Sequence, residues 1–315
     1  MYLGIDVSKA TLDCCLISDG IFFERQFKNN RAGFEQLKSW LDKNGATNAL
    51  HCCCEATGKY YEAVAEYLSR YYRMSVENPR KIKGFGIAVL QRSKTDRQDA
   101  KTIAQYCKAL EPRPWQKPTE AQTKLQELIR YQNRLKRQKA AEQTKLQTAP
   151  TYLFPLIQST ITHLQQQIKA VQNQLNQFHK ENPDYKTKKE RLKTITGIGE
   201  AAANSLLSVL IQNDRFKSAT QFVAYIGLDP KENQSGTSLK GRPRISKLGN
   251  THLRTTLFIP AMHAYRSRTF AKYVSRLQKN GKRPKVIIVA LMRKLAVIAY
   301  YLIKTGQDFD NSRYE

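Results

Sequence analysis

Four acidic residues in the first part of the chain have the types and spacing needed to hold divalent cations. Asp6 ends an apolar segment at the start of the chain, and Glu55 ends a second apolar run. Asp96 and Asp99 lie where the sequence predicts the first turns of a helix, so their i, i+3 spacing puts both side chains on one helix face. Hard divalent cations prefer oxygen ligands, and two of them about 3.5–4 Å apart can promote attack on a phosphodiester. These carboxylates therefore indicate an enzyme that acts on a phosphodiester.

Each of these acids could also be an ordinary structural residue. Asp96 follows Thr95 close to a helix start, where a capping role is common. Other acids nearby, such as Asp13, have no pattern that separates them from surface residues. Asp6 is different, because a carboxylate within an otherwise apolar strand needs a partner or a metal ion.

A serine far downstream, Ser235, lies in a segment rich in Gly, Lys and Arg. Serine is a weak nucleophile until a base or a metal takes its proton, and the nearest downstream histidines, His252 and His263, are not adjacent. A Ser-Gly pair is also common in ordinary turns, and Ser238 is nearly as good a candidate on chemistry alone. Four basic residues of the region could hold a phosphate: Lys240, Arg242, Arg244 and Lys247.

The charge balance points to a polyanionic partner. The 315 residues include 53 Lys and Arg against 26 Asp and Glu, a formal net charge of +27. Such an excess predicts salt-sensitive binding to phosphates. Some ribosomal and membrane-surface proteins are equally basic, but the carboxylates favour nucleic-acid processing.

Cysteines and apolar runs indicate a cytoplasmic protein. The six cysteines lack the spacing of metal ligands and predict small buried side chains in a reducing compartment. Asp6 and Lys9 interrupt the apolar start, so no secretory signal is expected. Arg293 and Lys294 interrupt the apolar stretch 286–303, which predicts a buried helix rather than a membrane span.

Residues 1–111 predict an α/β domain. Strands are expected at Tyr2–Val7, Thr11–Ser18, Ile21–Lys28, Ala49–Glu55 and Met74–Glu77, and helices at Arg31–Asn44 and about Lys59–Tyr71. Asp19-Gly20 is typical of a tight turn between the second and third strands. Three antiparallel strands followed by alternating helices and strands is the element order of an RNase H-like sheet, so we assign this fold by analogy.

Residues 112–189 predict a Pro-rich linker and a helical arm. Apolar residues at alternating spacings of four and three form a heptad seam: Ile157, Ile161, Leu164, Ile168, Val171, Leu175 and Phe178. The seam could close an antiparallel hairpin within one chain or an intermolecular coiled coil. An arm that pairs subunits is the preferred interpretation.

Residues 190–315 predict a smaller, mostly helical domain. Gly197-Ile198-Gly199 joins two expected helices, and such a turn exposes backbone N–H groups where a phosphate can bind. It resembles the helix-hairpin-helix element of many DNA-binding proteins. A tight turn between helices explains the glycines equally well.

Several motifs follow one another along nearly the whole chain: Gly4–Lys9, Glu55–Gly58, Lys94–Ala100, Gly197–Gly199, Tyr225–Pro230, Ser235-Gly236 and Ile245–Arg254. In types and order they resemble the motifs of the DEDD transposases of the insertion-sequence-110 family, which includes the Piv-type DNA invertases. One departure is Gln234, where relatives often carry a second serine.

The resemblance implies an N-terminal RuvC-like domain in which Asp6, Glu55, Asp96 and Asp99 bind Mg²⁺. It also implies that Ser235 attacks DNA and forms a covalent phosphoserine link. The acids and the serine would combine in a composite centre of a homo-oligomer, a dimer or tetramer, with different subunits supplying them. A structured noncoding RNA would guide the enzyme to its DNA.

The expected function is therefore site-specific DNA recombination in a bacterial cytoplasm, by transposition or by inversion. One rival is a RuvC-like nuclease that uses metal and water; it would leave free DNA ends and tolerate Ser235→Ala. A second rival is a non-catalytic nucleic-acid-binding protein. Acids at all four motif positions argue against the second rival.

Overall fold

Five strands near the start of the chain form one mixed sheet. They are β1 (Tyr2–Val7), β2 (Thr11–Ser18), β3 (Ile21–Lys28), β4 (His51–Glu55) and β5 (Arg73–Glu77). Their order across the sheet is β3-β2-β1-β4-β5. The first three strands are antiparallel, and β4 and β5 run parallel to β1. The predicted strands are therefore confirmed, with small differences at their ends.

This computed structural model describes residues 1–90, 95–211, 216–231, 234–235, 239–240 and 244–313. The chain divides into two units, residues 1–117 and 118–315. The predicted linker begins before this division, and its first part is held on β5. The Trp115 backbone N–H donates to the Met74 carbonyl at 2.6 Å, and the Ser75 hydroxyl donates to the Arg113 carbonyl at 2.8 Å.

Helices cover both faces of this sheet. They are α1 (Arg31–Lys43), α2 (Glu62–Leu68), α3 (Pro79–Ala88) and α4 (Asp96–Leu110). Leu3 of β1 shares an apolar core with Leu37 of α1 and with side chains of α2. On the opposite face, Cys53 of β4 packs with Ile103 of α4 and with α3. Alternation along each strand thus supplies two cores.

The second unit is mostly helical, as predicted. Its helices are α5 (Glu120–Leu146), α6 (Phe154–Glu181), α7 (Pro183–Lys193), α8 (Glu200–Leu210), α9 (Ala219–Ile226), α10 (Thr251–Arg266), α11 (Ala271–Lys279) and α12 (Pro284–Thr305). Four short strands lie between α9 and α10: β6 (Pro230–Lys231), β7 (Gln234–Ser235), β8 (Leu239–Lys240) and β9 (Arg244–Ile245).

The heptad seam closes a hairpin within the chain. α5 and α6 pack along each other, and Leu125 and Leu135 of α5 share one apolar core with Leu164 and Leu175 of α6. Of the two arrangements that the sequence left open, the seam therefore forms the intramolecular one. Subunit pairing by the arm stays a prediction that needs other surfaces.

The apolar stretch 286–303 lies within α12. This helix is long and apolar enough to cross a membrane, yet half of its most apolar window is buried inside the protein. Leu291 and Leu295 lie in the same core as Phe222 of α9 and Leu257 of α10. α12 thus serves as a core helix. The six cysteines are buried, as the sequence predicted.

Candidate active site

Two of the predicted metal ligands lie at the carboxyl ends of neighbouring parallel strands. The β1–β4 register pairs Ile5 with Cys54, so Asp6 and Glu55 are the next residues on adjacent strands. The carboxyl ends of parallel strands form the edge where ligands bind in α/β sheets. The Thr57 hydroxyl donates a 2.6 Å hydrogen bond to Glu55 Oε1, which orients this carboxylate.

The other two predicted ligands lie in the first turn of α4. The N-cap of α4 is Thr95, whose hydroxyl oxygen accepts a hydrogen bond from the Gln98 backbone N–H. Because Thr95 caps the helix, the capping role considered for Asp96 does not explain that residue. Asp96 and Asp99 both lie in the first turn of α4, where the helix dipole stabilises carboxylates.

A close contact between β1 and α4 positions that first turn. A Cβ built on Gly4 would stand 2.2 Å from the Ala100 carbonyl oxygen and 2.3 Å from the Ala104 nitrogen. Glycine is thus required for the helix to lie directly on the strand. Because Gly4 and Asp6 project from the same face of β1, α4 covers the face that carries Asp6.

The pKa of Asp6 is raised by its surroundings, which include the other predicted acids. Partial burial is the main cause that raises the pKa of Asp6 to about 6, and the carboxylates of Glu55, Asp99 and Asp96 raise it further. Each of these partners therefore lies near enough to oppose ionisation of Asp6. Asp6 therefore lies within electrostatic range of the three other predicted acids.

Direct coordination is a stricter criterion than electrostatic influence. Across the described ranges, no three Asp, Glu, His or Cys side chains are close enough to share one metal ion. The two findings are compatible, because like charges repel most strongly at contact distance and still shift one another's pKa from farther away. The acids form a converging cluster rather than a closed coordination sphere.

Asp13 is a further member of this cluster that the sequence analysis did not recognise. It lies directly opposite Asp6 in the β1–β2 register and is 5% exposed. The Gln26 amide donates to both of its carboxylate oxygens, at 3.0 and 3.1 Å. Its interpretation as an ordinary surface acid was wrong. The signal that could have found it is the antiparallel pairing of the first two strands.

Glu77 borders the cluster on the other side. It ends β5 opposite Glu55 in the β4–β5 register. Lys81 forms a 2.8 Å ion pair with it, and the Asn78 backbone N–H donates to it at 3.2 Å. Because Lys81 compensates this charge, Glu77 is less suited to hold a cation than the predicted ligands.

Asn29 ties together the loops that follow β1 and β4. Its side-chain amide donates to the Ser8 carbonyl at 2.8 Å and to the Tyr60 carbonyl at 3.1 Å. The two loops begin after Val7, the residue next to Asp6, and after Glu55, so this amide fixes the strand ends that carry both ligands. A lone Asn after a strand gave no sequence signal of this role.

Ser235 lies in the four short strands β6–β9 between α9 and α10, which we call the hairpin excursion. β6 pairs with β9, and β7 pairs with β8, where Ser235 is opposite Leu239. Ser235 is the last residue of β7, and Lys240 ends β8. The predicted phosphate ligand Arg242 and the alternative nucleophile Ser238 lie outside the described residues.

The base of this excursion is built from residues of the predicted motifs. Gly227 ends α9 with φ at 78°, and a Cβ on Gly249 would stand 2.5 Å from the Gly227 nitrogen. The Ser246 hydroxyl donates a 2.5 Å hydrogen bond to Asp229, and Arg254 donates at 2.7 Å to a carbonyl in the last turn of α9. These contacts hold the two ends of the excursion together.

The remaining polar residues of this region divide into exposed and structural ones. Arg244 and Lys247 are exposed, so they are free to meet a phosphate backbone. His252 instead lies 2.9 Å from the Asn133 amide and 3.3 Å from the Ser205 hydroxyl. It joins α10 to α5 and α8, which is a structural role.

The two glycines of the predicted phosphate turn have different surroundings. Gly197 has φ at 91°, and a Cβ on it would stand 2.7 Å from the Pro260 carbonyl oxygen. Gly199 is the N-cap of α8 and has open space around it. The next residue, Glu200, forms a 2.7 Å ion pair with Lys189. Close packing accounts for glycine at position 197, and the phosphate site at this turn stays a prediction, for which the Glu200 carboxylate is unfavourable.

Comparison with known proteins gives matches in both units. Residues 3–155 match the DEDD transposases of the IS110 type, and residues 189–275 match the transposases of the IS116/IS110/IS902 family. The chain is 34% identical to the pilin gene-inverting protein of Moraxella lacunata and 33% identical to that of Moraxella bovis, over 100% of this chain and 99% of each relative. The insertion element IS110 43.6 kDa protein of Streptomyces coelicolor is 23% identical over 50% of this chain and 38% of its own.

The carboxylate cluster and these matches define an enzyme that recombines DNA, of the transposase class. The chain belongs to the IS110 family of transposases.

Proposed function

We propose that this protein is a site-specific DNA recombinase that inverts or moves a DNA segment with defined ends. The observation that carries the proposal is the convergence of Asp6, Glu55, Asp96 and Asp99 at the end of β1, which helps to raise the pKa of Asp6 to about 6. The full-length likeness to pilin gene-inverting proteins, beside a half-length likeness to an insertion-element protein, supports inversion over transposition.

The first unit is, in this proposal, a RuvC-like catalytic domain. Three antiparallel strands followed along the chain by alternating helices and strands support it, because this is the order of elements expected for an RNase H-like sheet. Helices on both faces leave the carboxyl ends of β1 and β4 for a ligand.

The donor chemistry of the cluster suits a divalent cation. Asp6, Glu55, Asp96 and Asp99 offer hard oxygen ligands, and a cation would offset the repulsion that raises the pKa of Asp6. We propose that they hold Mg²⁺, which when bound would polarise the scissile phosphate and make the attacking hydroxyl more acidic. Ligation requires Asp6 to be ionised, so it is favoured above about pH 6.

Ser235 is the proposed nucleophile. As its Oγ bonds to a DNA phosphorus, the serine proton passes to a water molecule or another base and one bridging P–O bond breaks. The leaving oxygen takes up a proton and stays on the DNA as a hydroxyl. The phosphoserine ester conserves the bond energy, so attack by a hydroxyl of another strand can reseal the DNA without ATP. The exposed Arg244 and Lys247 would contact the phosphate backbone near this hairpin.

Strand exchange requires several subunits and an extended surface that binds nucleic acid. Where α5 leads into α6, Tyr152 and the first-turn residues Phe154 and Leu156 of α6 are 77%, 39% and 66% exposed, which supports subunit contact at the end of the arm. Acids and serine would then come from different subunits of a dimer or tetramer. The net charge of +27 suits binding of DNA together with a structured noncoding guide RNA, in the bacterial cytoplasm.

A covalent-trapping assay tests this proposal. Protein, Mg²⁺, DNA carrying the recombining ends and RNA transcribed from the flanking DNA are incubated and separated on a denaturing gel. We expect a DNA–protein adduct with the wild type and with the matched control Ser238→Ala, and none with Ser235→Ala. Asp6→Asn is expected to lose the adduct and to retain DNA binding.

Each other outcome has a distinct meaning. Cleavage without an adduct, equal in wild type and Ser235→Ala, would contradict the serine step and indicate a metal-dependent nuclease that uses water. Loss of the adduct in Ser238→Ala alone would move the nucleophile to Ser238. DNA binding without cleavage by any of the proteins would indicate a non-catalytic binding protein.

A further inference from the structure

An open groove of about 840 Å³ lies in the first unit between the β2–β3 hairpin, the end of α3 and one side of α4. Its walls include Ile17, Phe22, Phe85, Val89 and Leu90. Phe22 is 38% exposed, Val89 48% and Leu90 78%. The groove therefore presents apolar and aromatic surface to solvent.

The rim of this groove is basic and rich in amides. Gln98, Lys101, Gln105 and Lys108 follow one another at spacings of three and four, which puts them on one side of α4. The Lys101 ammonium lies 4.2 Å from the centroid of the Phe22 ring. Among the described residues that line the groove there is no Asp or Glu. Its charge thus complements an anion.

We propose that this groove binds an unpaired stretch of the DNA strand on which the enzyme acts. Bases would lie against Phe22 and the apolar walls, while Lys101 and Lys108 contact the phosphates. A basic groove lined with an aromatic ring is the combination that binds single-stranded nucleic acid. The amides of Gln98 and Gln105 can both donate to and accept from base edges. The inference rests on the proposed function only in taking DNA as the substrate.

The position of the groove suits a strand that is being cut. α4 carries Asp99 in its first turn and Lys108 in its last, about 14 Å apart along the helix axis at the usual rise per residue. The two sets of side chains lie on different sides of this one helix. Gln98, at one end of the groove, belongs to the same first turn as Asp99, so a strand held in the groove would reach the carboxylate cluster by passing around the N-terminal end of α4.

Adjacent phenylalanines of β3 provide a matched test. Phe22 and Phe23 are similarly exposed, 38% and 36%, but project from opposite faces of the strand. The full chain carrying Asp6→Asn, which is expected to prevent cleavage, is titrated with a fluorescent single-stranded DNA oligonucleotide. Phe22→Ala is expected to weaken binding at least about fivefold. Phe23→Ala is expected to leave it within about twofold.

The salt dependence of oligonucleotide binding tests the basic rim. Lys101→Gln with Lys108→Gln is expected to lower the slope of log affinity against log salt by about 1–2. Lys43→Gln, on the exposed side of α1, is the control and should leave the slope unchanged. Equal slopes for both proteins would contradict phosphate contacts at this rim.

The remaining outcomes also decide the question. Equal losses in the Phe22 and Phe23 variants would overturn the groove as a binding site. A selective loss for RNA of the same sequence, with DNA binding unchanged, would assign the groove to RNA instead. A changed oligomeric state of Phe22→Ala with unchanged oligonucleotide binding would assign it to a second copy of this chain. Because binding is measured without chemistry, failure of the groove and failure of the proposed recombinase are distinguishable.

Discussion

Gly4 of β1 and Ala104 of α4 approach so closely that a Cβ on the glycine would stand 2.3 Å from the Ala104 nitrogen. The contact presses α4 onto the strand that carries Asp6, and the first turn of α4 carries Asp96 and Asp99. The arrangement of the acids therefore depends on the absence of one methyl group from β1.

Gly4→Ala is expected to destabilise the protein by at least about 3 kcal/mol or to displace α4. The atoms that the new methyl group would meet belong to backbone, so no flexible side chain can move away. Urea unfolding and Mg²⁺-dependent cleavage measure the two effects. Gly84→Ala is the control: it has open space and lies in α3, so stability should be unchanged or rise by about 0.5–1 kcal/mol. Equal stabilities of the two variants would contradict the role of Gly4.

Asp6→Asn is expected to stabilise the metal-free protein at neutral pH while it abolishes catalysis. The pKa of Asp6 is about 6 when folded and near 3.8 when unfolded, so the folded state binds the proton more tightly. That contribution to stability is complete below about pH 4 and is lost as the pH rises through 6. With an allowance for solvent screening, the variant should gain about 1 kcal/mol above pH 6 and nothing near pH 4.

Unfolding in EDTA at several pH values checks this gain. A gain of the same size at pH 4 and pH 7 would show that ionisation of Asp6 is not the cause. Added Mg²⁺ should raise the stability of the wild type but not that of Asp6→Asn, because a ligand stabilises only the state that binds it.

Much of the fold followed from local sequence pattern. Alternating apolar residues and the Asp19-Gly20 turn predicted the strands, and the heptad seam predicted the arm. Asp6 and Glu55 were recognisable because each ends an apolar run. In each case the signal lies within a few residues of the feature that it predicts.

The parts that sequence did not predict depend on contacts between distant segments. Asp13 joins the cluster only through its register with Asp6, and Asn29 acts through carbonyls in two separate loops. The close approach of Gly197 to Pro260, in a helix far along the chain, is a third such contact. No local pattern encodes these pairings.

Asp13→Asn is expected to weaken Mn²⁺ binding severalfold, because it removes a negative charge beside Asp6. Asp13 is one of the charges that raise the pKa of Asp6, so the acid limb of the activity profile should also move to lower pH. The amide can still accept a hydrogen bond from Gln26, so folding should be retained. Calorimetric titration with Mn²⁺ measures the affinity. Asp42→Asn removes a surface acid paired with Lys38 and is the control; an equal effect of both variants would indicate only a general loss of charge.

Ser246→Ala is expected to impair DNA cleavage by tenfold or so while the second unit stays folded. It removes the 2.5 Å hydrogen bond to Asp229 at the base of the Ser235 hairpin, a bond to a charged group that contributes about 1.5–3 kcal/mol. The backbone bond from Ser246 N–H to the Asp229 carbonyl, 2.8 Å, remains. Adduct yield and thermal unfolding are measured together. Ser267→Ala, which loses only a local bond to the Ala264 carbonyl, is the control and should keep full adduct yield. Full adduct yield in Ser246→Ala as well would show that this bond does not position the hairpin.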